Sequence, residues 1–157
     1  MSNTTNPILA TVANVIAQSG ASIALTGTTA ETVLMSVAIP PMLMQAHGRI
    51  RLWFTTTATN NANIKTVKAK LNGTVIGAAA AIASTGTQVF HVDVVNGAHL
   101  NANYGQLAMT AGATCVQAGG SLAVDTTQPL TVTITGQLAT TSDNITLNAY
   151  SLETLNV

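Results

Sequence analysis

Charge is what this 157-residue chain has least of: five Lys plus Arg balance five Asp plus Glu, together 6 % of the sequence, and the formal net charge is zero. An average soluble domain is about 25 % charged; here Thr, Ala and Asn fill the missing places. Nucleic-acid binding needs cations to neutralise phosphates and aromatic rings to stack on exposed bases. Five cations with one Trp, two Tyr and two Phe argue against a nucleic-acid partner. A near-neutral surface also lacks the repulsion that keeps molecules apart, so the composition favours assembly.

Other absences narrow the class further. Cys115 is the one cysteine, so no disulfide can form within the chain, and its Gly- and Ala-rich surroundings suit a small buried hydrophobe. Long apolar runs are missing too. The stretch 7–17 is interrupted by Asn14, has no basic residue before it and is too short to span a bilayer, so neither a membrane segment nor a secretion signal is expected. Disorder is excluded by the 47 % hydrophobic content. A chain of this length buries about two thirds of the surface its unfolded form exposes, enough for one core without staples.

What is present is β-branched. From Ala21 onward Thr and Val dominate, with turn signals at short intervals, a pattern of sandwiches and barrels. Ile50, Leu52 and Phe54 alternate with Arg49, Arg51, Trp53 and Thr55, predicting a half-buried strand over 49–57. Val67, Ala69 and Leu71 alternate with Lys68 and Lys70 over 65–71, and Asn72-Gly73 then predicts a tight hairpin into 74–78. Gln88 to Val95 alternates Phe90, Val92 and Val94 with His91 and Asp93 and reaches a second Asn-Gly at 96–97. The segments 130–138 and 144–155 are expected as a last strand pair. The alanine run 76–83 is assigned to strand plus loop, and 111–121 has no clear period. The prolines at 40–41 mark a strand end, and His47 before Gly48 a turn. Ile8, Leu9, Val12, Val15 and Ile16 fit either a short helix face or an extended arm, so 1–20 is taken as an N-terminal arm and 21–157 as the domain.

No constellation for catalysis emerges. Gly119-Gly120-Ser121-Leu122-Ala123 is not a nucleophile elbow, Lys65-Thr66 has no glycine run before it, and the five acids are scattered. His91, Asp93 and His99 lie close in sequence, but without Cys or a carboxylate cluster they do not add up to a metal site. The chain is thus expected to be no enzyme and to need no cofactor or metal. All five cations fall in two predicted strands. If those strands are neighbours, Arg49, Arg51, Lys68 and Lys70 form a basic stripe around Trp53 suited to an acidic partner surface; otherwise they line solvated strand faces.

Three stretches carry a resemblance: LTGTTAETVL at 25–34 leading to Val37-Ala38-Ile39-Pro40; His47-Gly48-Arg49-Ile50-Arg51-Leu52-Trp53 with Asn60-Asn61-Ala62-Asn63-Ile64-Lys65-Thr66-Val67; and Gln137-Leu138-Ala139 with Asp143-Asn144-Ile145-Thr146-Leu147. Together they resemble tailed-bacteriophage virion proteins with a β jelly-roll domain, which serve as capsid decoration or cement proteins, head fibres and tail-fibre modules. The resemblance spans Ala21 to Glu153 and brings no catalytic residue. It implies an all-β chain, a single jelly-roll-like β-sandwich of about eight antiparallel strands behind the arm. It further implies a decoration protein, made in the host cytoplasm, that sits on the capsid exterior at junctions of the major capsid protein, associates with itself as a homo-oligomer such as a trimer, and stabilises the shell. Arg49, Arg51, Trp53, Lys68 and Lys70, with Ile8, Leu9 and Val12 of the arm, are the expected interface. The alternative is a glycan-binding module of a head or tail fibre, with Trp53 between Arg51 and Thr55 as the ring on which a sugar stacks.

Overall fold

The computed structural model describes residues 12–83, 86–111 and 114–156, with 12, 111, 114–117 and 156 as backbone only. The chain is all-β, a two-sheet jelly-roll-like sandwich in which every pairing is antiparallel. The seven-stranded sheet runs β1 (Val12–Ser19), β12 (Asn144–Asn156), β4 (Arg49–Ala58), β8 (Gln88–Asn96), β9 (Asn103–Ala111) and β10 (Thr114–Ser121). Its seventh strand, β2 (Ile23–Thr26), shares the outer edge of β12 with β1. The five-stranded sheet runs β3 (Thr32–Ile39), β11 (Leu130–Gln137) and β5 (Lys65–Leu71), and the far edge of β5 is shared by β6 (Thr74–Val75) and β7 (Ala80–Ile82).

Period-two alternation does what it predicts. In β4, Ile50, Leu52 and Phe54 point inward and are buried, while Arg49, Arg51 and Trp53 are half-buried on the outer face. Phe54 and Phe90, paired across β4 and β8, stack with centroids 4.4 Å apart and planes 5° from parallel. Both phenylalanines of the chain therefore sit at the centre of the core. In β3 a bulge leaves Leu34 without a partner between Val33 and Met35, so two successive side chains, Leu34 and Met35, are buried where strict alternation allows one. The Asn72-Gly73 pair has φ of 47° and 80°, the left-handed pair a tight hairpin needs.

Four expectations are corrected. Twelve strands replace about eight, because short strands at the sheet edges and the unpatterned segment 114–121 also pair. The segments 130–138 and 144–155 do not pair with one another: β11 lies in the five-stranded sheet and β12 in the other. The second Asn-Gly makes no two-residue turn. Asn96 ends β8 with its side chain buried, and 97–102 is a loop. Finally, Val12–Ser19, the second half of the segment expected as an arm, is the edge strand β1 along β12; Ile8 and Leu9 lie outside the described residues.

Strands that change sheets gather the loops at two ends. One end holds 40–48, 97–102 and 122–129, linked by Met42 N–H to Thr126 O (3.2 Å) and His47 N–H to Gly97 O (3.1 Å). The other holds 27–31, 59–64 and 138–143, linked by Gly27 N–H to Thr141 O and Thr59 N–H to Asn144 O.

Candidate functional site

The outer face of the seven-stranded sheet presents the one tryptophan. The registers place Gln18, Ser151, Trp53, His91 and Ala108 in a row across β1, β12, β4, β8 and β9. The next row along the strands is Val15, Glu153, Arg51, Asp93 and Gln106. Trp53 is half-buried and His91 and Gln18 are exposed, so an aromatic ring stands among an amide, a hydroxyl and an imidazole. Beside it is a shallow depression of about 400 Å³ lined by Gln18, Ser19, Gly20, Trp53, Tyr150 and Ser151. Ser151 Oγ donates to Glu153 Oε1 at 3.4 Å. Such a surface has an apolar plane and hydrogen-bonding groups at its rim.

Near Trp53 two cations share one acid, and Glu153 is the strand partner of Arg51. Arg49 Nε lies 3.0 Å and Arg51 Nε 3.6 Å from Asp93 Oδ1, all three groups partly exposed. The predicted basic stripe does not form, because β4 and β5 belong to different sheets and their outer faces point away from each other. Lys68 and Lys70 lie on the opposite surface of the sandwich. There Glu31, from the loop between β2 and β3, folds over both: Lys68 Nζ meets Glu31 Oε2 at 2.7 Å, Lys70 Nζ meets Oε1, and Thr135 Oγ1 donates to Oε1 at 2.7 Å. The bonds from Lys68, Lys70 and Thr135 lower the Glu31 pKa to about 2.

The fifth cation, Lys65, is buried rather than part of any surface. It falls on the inward parity of β5, and its Nζ donates to Thr59 O (2.7 Å) and Asn61 Oδ1 (2.9 Å). Asn61 and Asn63 in turn donate to Asp143 at 2.5 and 3.2 Å, and Thr140 Oγ1 donates at 3.1 Å. The Asn61 bond, with those of Thr140 and Asn63 and the charge of Lys65, holds the Asp143 carboxyl below its ordinary range. This cluster ties the loops 59–64 and 138–143 together and faces the core.

Of the expected interface residues, Arg49, Arg51 and Trp53 thus share one face, Lys68 and Lys70 occupy the other, and Val12 opens β1, described as backbone only. The Cys115 side chain likewise lies outside what is described. His91 and Asp93 sit on the outer face of β8 while His99 lies in the loop 97–102, and among the described residues no group of three or more His, Cys, Asp or Glu could hold a metal ion. Sequence reading missed Gln18, Ser151 and His91 as neighbours of Trp53, since strand partners far apart in the chain leave no local signal. It also missed Glu31 as the counter-ion of the two lysines.

No protein-family model and no curated protein sequence matches the chain. Among solved structures it is similar to arcelin-5, a lectin-like defense protein from Phaseolus vulgaris, at 8 % identity and TM-score 0.47 over 92 % of each chain. It is also similar to the CBM2 module of the evolved Dit of Lactobacillus casei BL23 phage J-1, at 15 % identity and TM-score 0.34, over 78 % of this chain and 69 % of that one. A third is the VP2 subviral particle of infectious bursal disease virus, at 13 % identity and TM-score 0.37, over 92 % of this chain and 32 % of that one. These likenesses assign no ligand, partner or activity to this chain.

Proposed function

We propose that this chain is a non-catalytic, glycan-binding β-sandwich module of a tailed-phage fibre, exposed on the outside of the virion, and that Trp53 is its stacking platform. The observation that carries this reading is the position of Trp53: half-exposed in mid-sheet, ringed by Gln18, Ser151 and His91, over an open depression. A pyranose presents an apolar face of C–H groups that stacks on an aromatic ring, while its equatorial hydroxyls exchange hydrogen bonds with groups at the ring's rim. Arg49 and Arg51 share Asp93, and Glu153, the strand partner of Arg51, balances the second positive charge, so this surface carries no net charge, which suits a neutral sugar. A glycan array probed with the wild-type chain and with Trp53→Ala tests it. The expected result is binding to a restricted set of glycans, reduced at least tenfold in the variant; equal binding by both proteins would refute the platform.

A second reading, a decoration protein bound to the major capsid protein as a homo-oligomer such as a trimer, is favoured by the exposed apolar side chains at one sheet edge. Val15 of β1 is 55 % and Ile23 of β2 42 % exposed. Burying such side chains against a capsid subunit or a second copy would stabilise the shell, because only the assembled state binds them. Quantitative mass spectrometry of purified particles separates the readings: a copy number near that of the capsid protein supports decoration, a few copies per particle a fibre.

A further inference from the structure

The loop end that carries 40–48, 97–102 and 122–129 contains a second shallow cleft, about 550 Å³ in volume and open to solvent. Its walls are apolar at Ala46, Ala98 and Leu100 and polar at His99, Asn101, Asp125 and Thr127. Loops of this length are usually adaptable, but these are fixed from beneath by a buried amide network. The two protons of Asn96 Nδ2 are shared among Met44 O (3.2 Å), Gln45 O (3.0 Å) and Thr126 Oγ1 (2.8 Å), so one side chain joins two of the three loops. Asn103 accepts from Val124 N–H at 2.9 Å and donates to Val124 O at 2.6 Å and to Asn96 Oδ1 at 3.2 Å. Thr126, itself 1 % exposed, donates to Leu100 O through both its hydroxyl and its N–H, each at 2.9 Å. Val124 and Thr126 are the chain neighbours of Asp125, and Leu100 is the neighbour of His99 and Asn101. The cleft's polar groups therefore stand on a rigid base, which removes much of the ordering cost of binding.

The chemistry of those groups selects the ligand. Asp125 Oδ1 accepts from Thr127 N–H (2.9 Å) and Thr127 Oγ1 (2.7 Å), bonds that hold the carboxyl below its ordinary range. Among the described residues its Oδ2 accepts no bond, and the Asn101 amide, exposed, is free to donate and accept. The lining includes an anion and no Lys or Arg, so phosphate and acidic sugars are disfavoured. One carboxylate is too little to hold a divalent cation. A ligand rich in O–H donors with an apolar flank satisfies every wall. We propose that this cleft is a second carbohydrate subsite that takes a neutral hexose, whose adjacent hydroxyls are held by Asp125 and Asn101 while its C–H face lies on Leu100 and the two alanines. The subsite is separate from the Trp53 platform and stands or falls without it.

Chemical-shift mapping of the full-length ¹⁵N-labelled chain with a panel of methyl glycosides of neutral hexoses tests the assignment. The expected result is a set of saturable shifts at 97–101 and 124–128 that persists in Trp53→Ala and weakens at least tenfold in Asp125→Asn and in Asn101→Ala. Both of these side chains are exposed, so the spectra should otherwise keep their dispersion. Shifts confined to residues around Trp53, or unaltered affinity in both cleft variants, would overturn the subsite while leaving the platform intact. Shifts at the cleft with none near Trp53 would support the subsite and count against the platform. No shift anywhere with the whole panel would overturn both.

Discussion

Lys65 has 0 % exposure, and the hydrogen-bond partners of its Nζ explain how so polar a group is buried. The parity of β5 puts it on the same face as Val67, Ala69 and Leu71, so its burial is legible once parity is followed through to the strand's first residue. Grouping it with the other cations by type hides that. Lys65→Met removes the two donors that satisfy Thr59 O and Asn61 Oδ1 and leaves Asp143 with less compensation. The predicted loss is about 3 kcal/mol, read as a lower urea midpoint. Glu31 gives a pH signature of known sign. Its pKa falls from 4.5 to about 2 on folding, so its contribution is complete above about pH 5 and is lost as pH falls through 4.5 toward 2. The upper bound is about 3 kcal/mol, reduced by solvent screening of a carboxylate that is 29 % exposed. Glu31→Gln should flatten that part of the stability–pH curve.

At the scale of elements, strands with one apolar face were legible and their partners were not. β4, β5 and β8 appear within one residue of their predicted bounds because alternation reports which face is buried. Alternation is silent on which strand lies alongside. The two basic strands are each correct and yet lie in different sheets, and 130–138 and 144–155 are strands but not a pair. β10 escaped because a Gly- and Ala-rich strand at a sheet edge has few large side chains to show a period. The segment after the first hairpin depends on a glycine. Gly77 has φ of 71°, and a Cβ there would lie 2.5 Å from Ala118 O and 2.8 Å from Leu107 N. Backbone atoms cannot yield as a flexible side chain can, so Gly77→Ala is predicted to cost about 2 kcal/mol or more and to lower the melting temperature. By contrast, Gly73→Ala, with open space around its Cβ, meets only the left-handed backbone penalty of about 1 kcal/mol.

At the scale of the whole molecule, the scarcity of charge in the composition becomes an arrangement: Arg49 and Arg51 share Asp93 on one face, and Lys68 and Lys70 share Glu31 on the other. The four cations form no continuous stripe, because they stand on opposite faces, and the face around Trp53 offers a ring with polar groups beside it. Glycan binding at this face is therefore predicted to change less than twofold between low salt and about 0.5 M salt, whereas docking through Arg49 and Arg51 would weaken steeply. The same economy of aromatics that argued against nucleic acid supplies the most direct test. Trp53 is the one tryptophan of the chain, so its fluorescence reports on the proposed platform with no background from another indole. Titration of the intact protein with surface polysaccharide from host cells should give a saturable change in tryptophan intensity and emission maximum as a sugar ring covers the indole. An emission spectrum that stays fixed while calorimetry registers saturable binding of the same polysaccharide would contradict the account, because the ligand would then be held somewhere other than on Trp53.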